Sequence, residues 1–250
     1  VVCDEEESKS MSENLRVRVL RVAGPGYAGT YQTYQVQCES RMSVLDVLTR
    51  IQISQDSTLA FRYSCRAGMC GSCSMRVNGK NSWTCRIPAE RFLKTGLTLE
   101  PLPNFPVIRD LAVDMKPFFD HYRRVIPQFV PKNPRREEFA NIRPHSLERS
   151  EIDQHIECIT CGNCFGSCSF TGTSSKYLGP AALNRAFVAG RDSRDSAEEQ
   201  RMEILDSHEG LWGCHTQYNC TEACPMGISP TRAIQKLKRR RLTHAFRSLF

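Results

Sequence analysis

Thirteen cysteines in a chain of 250 residues, and above all the spacing of eleven of them, limit what this sequence can fold into more than any other feature. The count is odd, and the chain is much longer than the small secreted domains that use disulfides for want of a core, which argues against a disulfide framework. Thirteen is also too many for incidental core thiols. The spacing therefore carries the information.

Cys65-x4-Cys70-x2-Cys73, followed by Cys85, is the plant-type [2Fe–2S] pattern. Gly68 and Gly71 let the backbone fold tightly around a buried anion and turn N–H groups toward its sulfurs. Ser72 offers a hydroxyl donor, and Arg66 and Arg76 add positive charge. A structural zinc site of four thiolates is the plain alternative, but zinc modules usually pair C-x2-C elements.

Cys158-x2-Cys161-x2-Cys164-x3-Cys168 is the bacterial ferredoxin run, in which the fourth cysteine serves the other cluster. Such a run needs a partner segment, and Cys214-x5-Cys220-x3-Cys224-Pro225 supplies it. A complete second run would carry cysteine at the third position after Cys214, where this chain has Gln217. Cys158, Cys161 and Cys164 with the distant Cys224 make four ligands, a [4Fe–4S] set. Cys168, Cys214 and Cys220 make three, a [3Fe–4S] set. Three thiolates within seven residues suit a cubane far better than zinc. Cys3, in an acidic terminus, and Cys38, at the end of a strand, belong to no motif.

The rest of the chain reads as an α+β protein in two domains, residues 1–120 and 121–250. Leu15-Arg16-Val17-Arg18-Val19 alternates as a half-buried strand, and Thr33 to Cys38 forms its hairpin partner across a Gly24-Pro25-Gly26 turn region. Ser43 caps a helix carrying Val44, Leu45, Val47, Leu48 and Ile51. Ser74–Val77 and Ser82–Cys85 flank Asn78-Gly79, the dipeptide of a tight hairpin, and Leu97-Thr98-Leu99 is a last strand. Prolines crowd residues 101–144, a connector with one short helix at Phe118, Phe119, Tyr122 and Val125. Beyond it the pattern is helical, with Pro180 and Ser229-Pro230 opening helices. No whole-domain repeat is visible. No run approaches the length needed to span a bilayer, and the acidic Val1–Glu7 start is neither secretory nor a transit sequence, so a reducing compartment is expected.

Three one-electron centres on one chain form a conductor, with the chemistry at its two ends. The sequence here resembles the iron–sulfur subunit of succinate dehydrogenase and fumarate reductase, respiratory complex II. The resemblance is carried by Cys65-Arg66-Ala67-Gly68-Met69-Cys70-Gly71-Ser72-Cys73, Cys158-Ile159-Thr160-Cys161-Gly162-Asn163-Cys164, Gly179-Pro180-Ala181-Ala182-Leu183, Asp192-Ser193-Arg194-Asp195, and Cys214-His215 through Cys224-Pro225 with Pro230-Thr231-Arg232-Ala233-Ile234. All eleven family ligands match in order.

The resemblance implies an N-terminal β-grasp, plant-type ferredoxin domain docked on an FAD-bearing flavoprotein subunit. It also implies an all-α, bacterial-ferredoxin-like dicluster domain facing a membrane anchor and quinone. That places the chain peripherally on the cytoplasmic face of a prokaryotic membrane, or on the matrix side if mitochondrial. Ser169 and His215 are the quinone candidates, His215 as a donor or proton relay, or as a histidine bonded only to local backbone. Two departures stand out. Ubiquinone-linked members typically read Cys-Pro-Ser-Tyr-Trp-Trp where this chain reads Cys168-Ser169-Phe170-Thr171-Gly172-Thr173, and Met226 replaces the basic residue that some menaquinol-linked members carry after the last Cys-Pro.

Rival readings are a related subunit delivering electrons to a thiol or disulfide acceptor, a free-standing ferredoxin, and a zinc protein. Trp83 and Trp212 would shield clusters or simply pack. The basic run Lys236, Lys238–Arg241 would meet lipid headgroups or form a solvated helix face. No GxGxxG or P-loop suggests a nucleotide site. The formal net charge of +7 would suggest nucleic acid, but eleven ligand thiolates and oxidised cluster cores bring the loaded chain to about +1, so no nucleic-acid partner is expected.

Overall fold

The computed structural model describes residues 13–132 and 143–247, with side chains to residue 243. Cys3, the acidic start and Pro134 lie outside the described residues. The chain divides into two compact units. The first takes the chain up to Gly79 with Trp83–Pro101 and Val107–Ala112; the second takes Lys80–Ser82, Leu102–Pro106 and everything from Val113 onward.

In the first unit β1 (Glu13–Arg21) buries Leu15, Val17 and Val19 and turns Arg16 and Arg18 outward. This is the period-2 pattern of a one-sided sheet. It pairs antiparallel with β2 (Thr30–Cys38) from Glu13↔Cys38 to Arg21↔Thr30. α1 (Val44–Ser54) starts at Ser43, whose hydroxyl accepts from Asp46 N–H while the Asp46 carboxylate accepts from Ser43 N–H, a reciprocal capping box. Its apolar face, Val44, Leu45, Val47, Leu48 and Ile51, is buried, all but Leu45 within the sheet core. β3 (Ser74–Val77) and β4 (Lys80–Trp83) are joined by Asn78 at φ 44° and Gly79 at φ 81°, the left-handed pair a tight hairpin demands. β5 (Leu97–Glu100) runs parallel to β1 and antiparallel to β3, giving the order β2-β1-β5-β3-β4. The buried Asp110 carboxylate ties residues 107–112 to the sheet by accepting from Arg21 Nε at 2.9 Å, Val22 N at 3.1 Å and Ala60 N at 2.9 Å.

The strand expected over Ser82–Cys85 ends at Trp83, and Cys85 sits in a 3-10 turn, Thr84–Arg86. Thr84 donates both its N–H (3.3 Å) and its hydroxyl (3.0 Å) to the Cys73 carbonyl. That double bond bends the chain and draws Cys85 toward Cys73.

In the second unit the described residues form helices α2 (Lys116–Arg124), α3 (Leu147–Ile152), α4 (Asn163–Gly166), α5 (Ser169–Thr173), α6 (Gly179–Gly190), α7 (Glu198–Leu205), α8 (Asn219–Glu222) and α9 (Pro230–Arg247). α6 is buried almost all round, and its Ala182, Leu183, Ala186 and Phe187 pack with Ala233, Ile234 and Leu237 of α9. No described helix is long and apolar enough to cross a membrane.

Four cations of the basic run on α9 have partners within the chain, while Arg239 is exposed. Lys236 pairs with Glu151 at 3.5 Å, and Lys238 donates to the Cys214 carbonyl at 2.7 Å and lies over the Trp212 ring. Arg240 pairs with Glu198, and Arg241 binds Asp206 at 2.5 Å. Asp206 also accepts from Trp212 Nε1 at 2.8 Å, so this tryptophan has a definite packing role.

Candidate metal centres

The loop Cys65–Cys73 turns through three left-handed residues, Arg66 (φ 55°), Gly68 (φ 74°) and Gly71 (φ 66°). These turns aim successive N–H groups inward. Cys65 Sγ accepts from Ala67 N at 3.4 Å and from Met69 N and Cys70 N at 3.3 Å, while Cys65 N–H donates to Cys70 Sγ at 3.4 Å. This is a preformed anion nest. The Ala67 N–H first, with Cys70 and Met69, pulls the Cys65 thiol down to about 6. Burial and the neighbouring Cys73 thiol push Cys85 up to about 11.

A Cβ at Gly68 would meet Arg86 Nε at 2.8 Å, so a side chain there would displace Arg86 and strain a backbone at φ 74°. Arg86 is thus the cation packed on the loop, which the spacing argument missed because it follows a ligand rather than lying inside the motif. Arg66 lies over the Tyr63 ring, and Arg76 is bound to the Gly79 carbonyl at 3.2 Å, beside Glu100.

In the helical unit the seven remaining motif cysteines sort into two cavities. Cys158, Cys161, Cys164 and Cys224 line one. Cys168, Cys214 and Cys220 line the other. Each chain segment serves both cavities: Cys164 faces the first and Cys168 the second, Cys220 the second and Cys224 the first. At the start of α9, Pro230 lines the first cavity and the next residue, Thr231, lines the second.

The two loops share a backbone. Thr160 (φ 53°) and Gly162 (φ 85°) follow Cys158 at the second and fourth positions, and Thr216 (φ 60°) and Tyr218 (φ 64°) follow Cys214 at the same offsets. Short helices α4 and α8 then begin at Asn163 and Asn219. The sequence repeats with it: Cys158, Thr160, Asn163, Cys164 and Cys168 stand at the offsets of Cys214, Thr216, Asn219, Cys220 and Cys224. The repeat places Gln217 where the first loop has Cys161, and Gln217 lines the second cavity.

These thiols fit iron–sulfur cores. Burial pushes the Cys158, Cys164, Cys168 and Cys220 thiols up, Cys164 well up, and neighbouring cysteines add to it, including Cys220 acting on Cys164. Buried thiols this close together favour their neutral form, and a polycationic centre between them would offset the burial and mutual repulsion that oppose their ionisation. Among the described residues no three His, Cys, Asp or Glu side chains converge tightly enough for a single ion; the seven helical-unit thiols line cavities instead. Cys38 is a buried free thiol on β2.

His215 and Ser169 are both exposed, and His215 lines the three-thiol cavity. The His215 ring stacks on Phe170 with centroids 4.2 Å apart and planes 6° from parallel. The Ser169 hydroxyl donates to the Gln217 side-chain oxygen. A Cβ at Gly172 would lie 2.5 Å from Asn104 Oδ1, so a tryptophan in its place would need the Asn104 side chain to move.

Two family models match the chain in succession. A 2Fe-2S iron-sulfur cluster binding domain model matches residues 16–120, and a 4Fe-4S dicluster domain model matches residues 154–228. The chain is 36% identical over 222 residues to the fumarate reductase iron-sulfur subunit of Mycobacterium tuberculosis (strain CDC 1551 / Oshkosh), covering 89% of this chain and 90% of that one. It superposes on a chain of the Mycobacterium smegmatis Sdh1 complex in the apo form with a TM-score of 0.85 and 27% identity, over 94% of this chain and 98% of that one. A hypothetical protein from Helicobacter pylori, at 16% identity and a TM-score of 0.54 over 90% of this chain and 39% of its own, shares the fold alone.

Proposed function

Since the chain belongs to the iron–sulfur subunits of the fumarate reductase and succinate dehydrogenase family, and so to an oxidoreductase complex, we propose that it relays single electrons between the FAD of a flavoprotein subunit and quinone. The order is [2Fe–2S], [4Fe–4S], [3Fe–4S]. The dicarboxylate site belongs to the flavoprotein, and the subunit lies peripherally against a membrane anchor on the cytoplasmic side.

The observation that carries this reading is the sorting of seven cysteines into a four-thiol and a three-thiol cavity separated by the consecutive residues Pro230 and Thr231. When bound, the clusters supply reversible one-electron redox chemistry. The protein's part is to hold them and set their surroundings. The Cys65–Cys73 nest presents N–H donors to sulfur, the α4–α8 scaffold holds two centres side by side, and burial keeps water from the inner thiols. His215, exposed at the three-thiol cavity and oriented by Phe170, is placed to donate to or relay a proton for quinone.

The test is low-temperature EPR with iron and sulfide analysis of anaerobically purified protein. The reading expects a [3Fe–4S] signal in the oxidised state and [2Fe–2S] and [4Fe–4S] signals on reduction, whereas zinc-loaded, EPR-silent protein would overturn it. A second reading, delivery of electrons to a thiol or disulfide acceptor, is favoured by the engagement of Ser169 with Gln217 and by Gly172. Succinate-dependent quinone reduction by the assembled complex separates the two.

A further inference from the structure

Cys220 Sγ lies 3.3 Å from the Thr231 hydroxyl, and both residues are buried, Thr231 to 1% exposure. The hydroxyl protons around it have one consistent direction. Arg232 N–H donates to Ser229 Oγ at 3.2 Å, Ser229 and Thr221 hydroxyls are 3.2 Å apart, and Thr221 donates to Thr231 Oγ1 at 2.9 Å. Thr231 therefore accepts from Thr221 and keeps its own proton for Cys220. A cysteine bound to iron is a thiolate and has no proton to give, so in the loaded protein the bond can run only from Thr231 oxygen to sulfur.

The same place in the four-thiol cavity has no hydroxyl. Pro180, Ala181 and Asn184 on α6 stand in the order and spacing of Pro230, Thr231 and Ile234 on α9, with the cavities exchanged. Pro180, Thr231 and Ile234 line the three-thiol cavity; Pro230, Ala181 and Asn184 line the four-thiol one. Thr231 thus has Ala181 as its counterpart.

We propose that Thr231 is a positioning and tuning residue of the three-thiol centre, its hydroxyl donating to the Cys220 sulfur at the end of the Ser229–Thr221–Thr231 chain and raising that centre's affinity for an electron. Hydrogen bonds to ligand sulfur favour the more negative, reduced form, and a run of aligned hydroxyls polarises the last donor. With a methyl group at Ala181, the four-thiol centre lacks this contribution. The difference biases electrons toward the three-thiol end. The inference rests on the [3Fe–4S] reading of Cys168, Cys214 and Cys220.

The experiment is an EPR-monitored redox titration of the holoprotein, purified with its native partners, as wild type, Thr231→Val and Thr231→Ser. Valine keeps the shape and removes the donor. At a fixed solution potential its three-iron reduced-to-oxidised ratio should fall about tenfold, which is a 59 mV drop for a one-electron couple, with the other two centres unmoved. In D2O, pulsed EPR should lose one exchangeable-deuteron coupling on the oxidised three-iron signal. Serine should restore both.

An unchanged ratio in the valine variant, or a serine variant that shifts as far as valine, overturns the proposal. If the valine variant does not assemble the centre, Thr221→Val leaves Thr231 and Cys220 in place; it should shift the ratio the same way by a smaller factor, and no shift there overturns the proposal equally. Wild-type protein without an oxidised three-iron signal would instead remove the underlying cluster assignment, so the two failures are read separately.

Discussion

Cys161 and Gln217 occupy equivalent places in two loops of the same backbone shape, each third after the first thiol and flanked by left-handed residues at the second and fourth positions. Cys161 lines the four-thiol cavity and Gln217 the three-thiol one. The difference in thiol count between the two cavities thus falls at this one position. Gln217→Cys should supply a fourth ligand in the existing geometry, abolishing the oxidised-state [3Fe–4S] EPR signal and adding a reduced-state [4Fe–4S] signal in its place. Retention of the three-iron signal at full intensity would show that the cavity, and not the missing thiol, sets the cluster type.

The ion pair of Asp195 and Arg201 is fully enclosed, with contacts of 2.5 and 3.0 Å and side chains at most 2% exposed. Arg201 also donates to the Ile126 and Gln128 carbonyls at 2.8 Å, and Asp195 accepts from Val130 N and Ala197 N. The pair therefore fastens residues 126–130 to the start of α7. Burial alone would push the Asp195 carboxyl up, but Arg201 and the two N–H groups bring it below its ordinary value. Asp195→Asn keeps the shape and strands a buried guanidinium, which costs about 3–5 kcal/mol. Thermal unfolding followed by loss of visible cluster absorbance should show this, and Asp195→Asn should also lose the part of acid sensitivity that arises as pH falls and the native carboxylate is protonated.

Asn104, itself at φ 65°, directs its Nδ2 to the carbonyls of Phe165 (3.2 Å), Gly166 (3.2 Å) and Cys168 (2.9 Å) and to Thr171 Oγ1 (3.0 Å). These groups span the short link between Cys164 of one cavity and Cys168 of the other. Asn104→Leu would remove an amide that can serve two of these acceptors at a time, at a cost of about 1–3 kcal/mol. Chelator-driven iron release should accelerate from both helical-unit centres and not from the [2Fe–2S] centre; release from all three at equal rates would show general unfolding instead.

How much of this was legible follows from what kind of constraint each feature obeys. Ligand spacing is dictated by cluster size, so the seven cysteines that line the two cavities could be grouped before any fold was known. Asn78-Gly79 announced a hairpin because few residues accept two successive left-handed conformations. The second loop reads as an incomplete copy of the first in its Cys, Thr and Asn positions, but the matching backbone shows only in the structure, because Gly162 and Tyr218 share a left-handed φ without sharing a residue type. The partners of the tail cations are hidden for a related reason. Lys236, Lys238, Arg240 and Arg241 are neighbours in sequence, but Glu151, the Cys214 carbonyl, Glu198 and Asp206 answer them from distant segments. Thr231 looked like an ordinary residue near a helix start, since its importance depends on Cys220 eleven positions earlier.

His155 is 4% exposed, with Nδ1 2.7 Å from Asn184 Oδ1, while Asn184 Nδ2 donates back to the His155 carbonyl at 3.0 Å. That return bond sets the amide orientation and puts a proton on Nδ1, and the ring meets Phe187 edge-on with centroids 5.0 Å apart. Burial holds its pKa below the ordinary imidazole value, the Asn184 bond opposing only in part. As pH falls through about 6.5 the unfolded chain takes up a proton here that the native chain does not, so stability declines from that point and levels off once the lower native value is passed. Above about pH 7 the contribution is constant. His155→Gln cannot titrate, so the unfolding midpoint of the variant should vary less between pH 7 and about pH 5 than that of the wild type. Parallel slopes for the two proteins across that window would show that His155 is not the group being titrated.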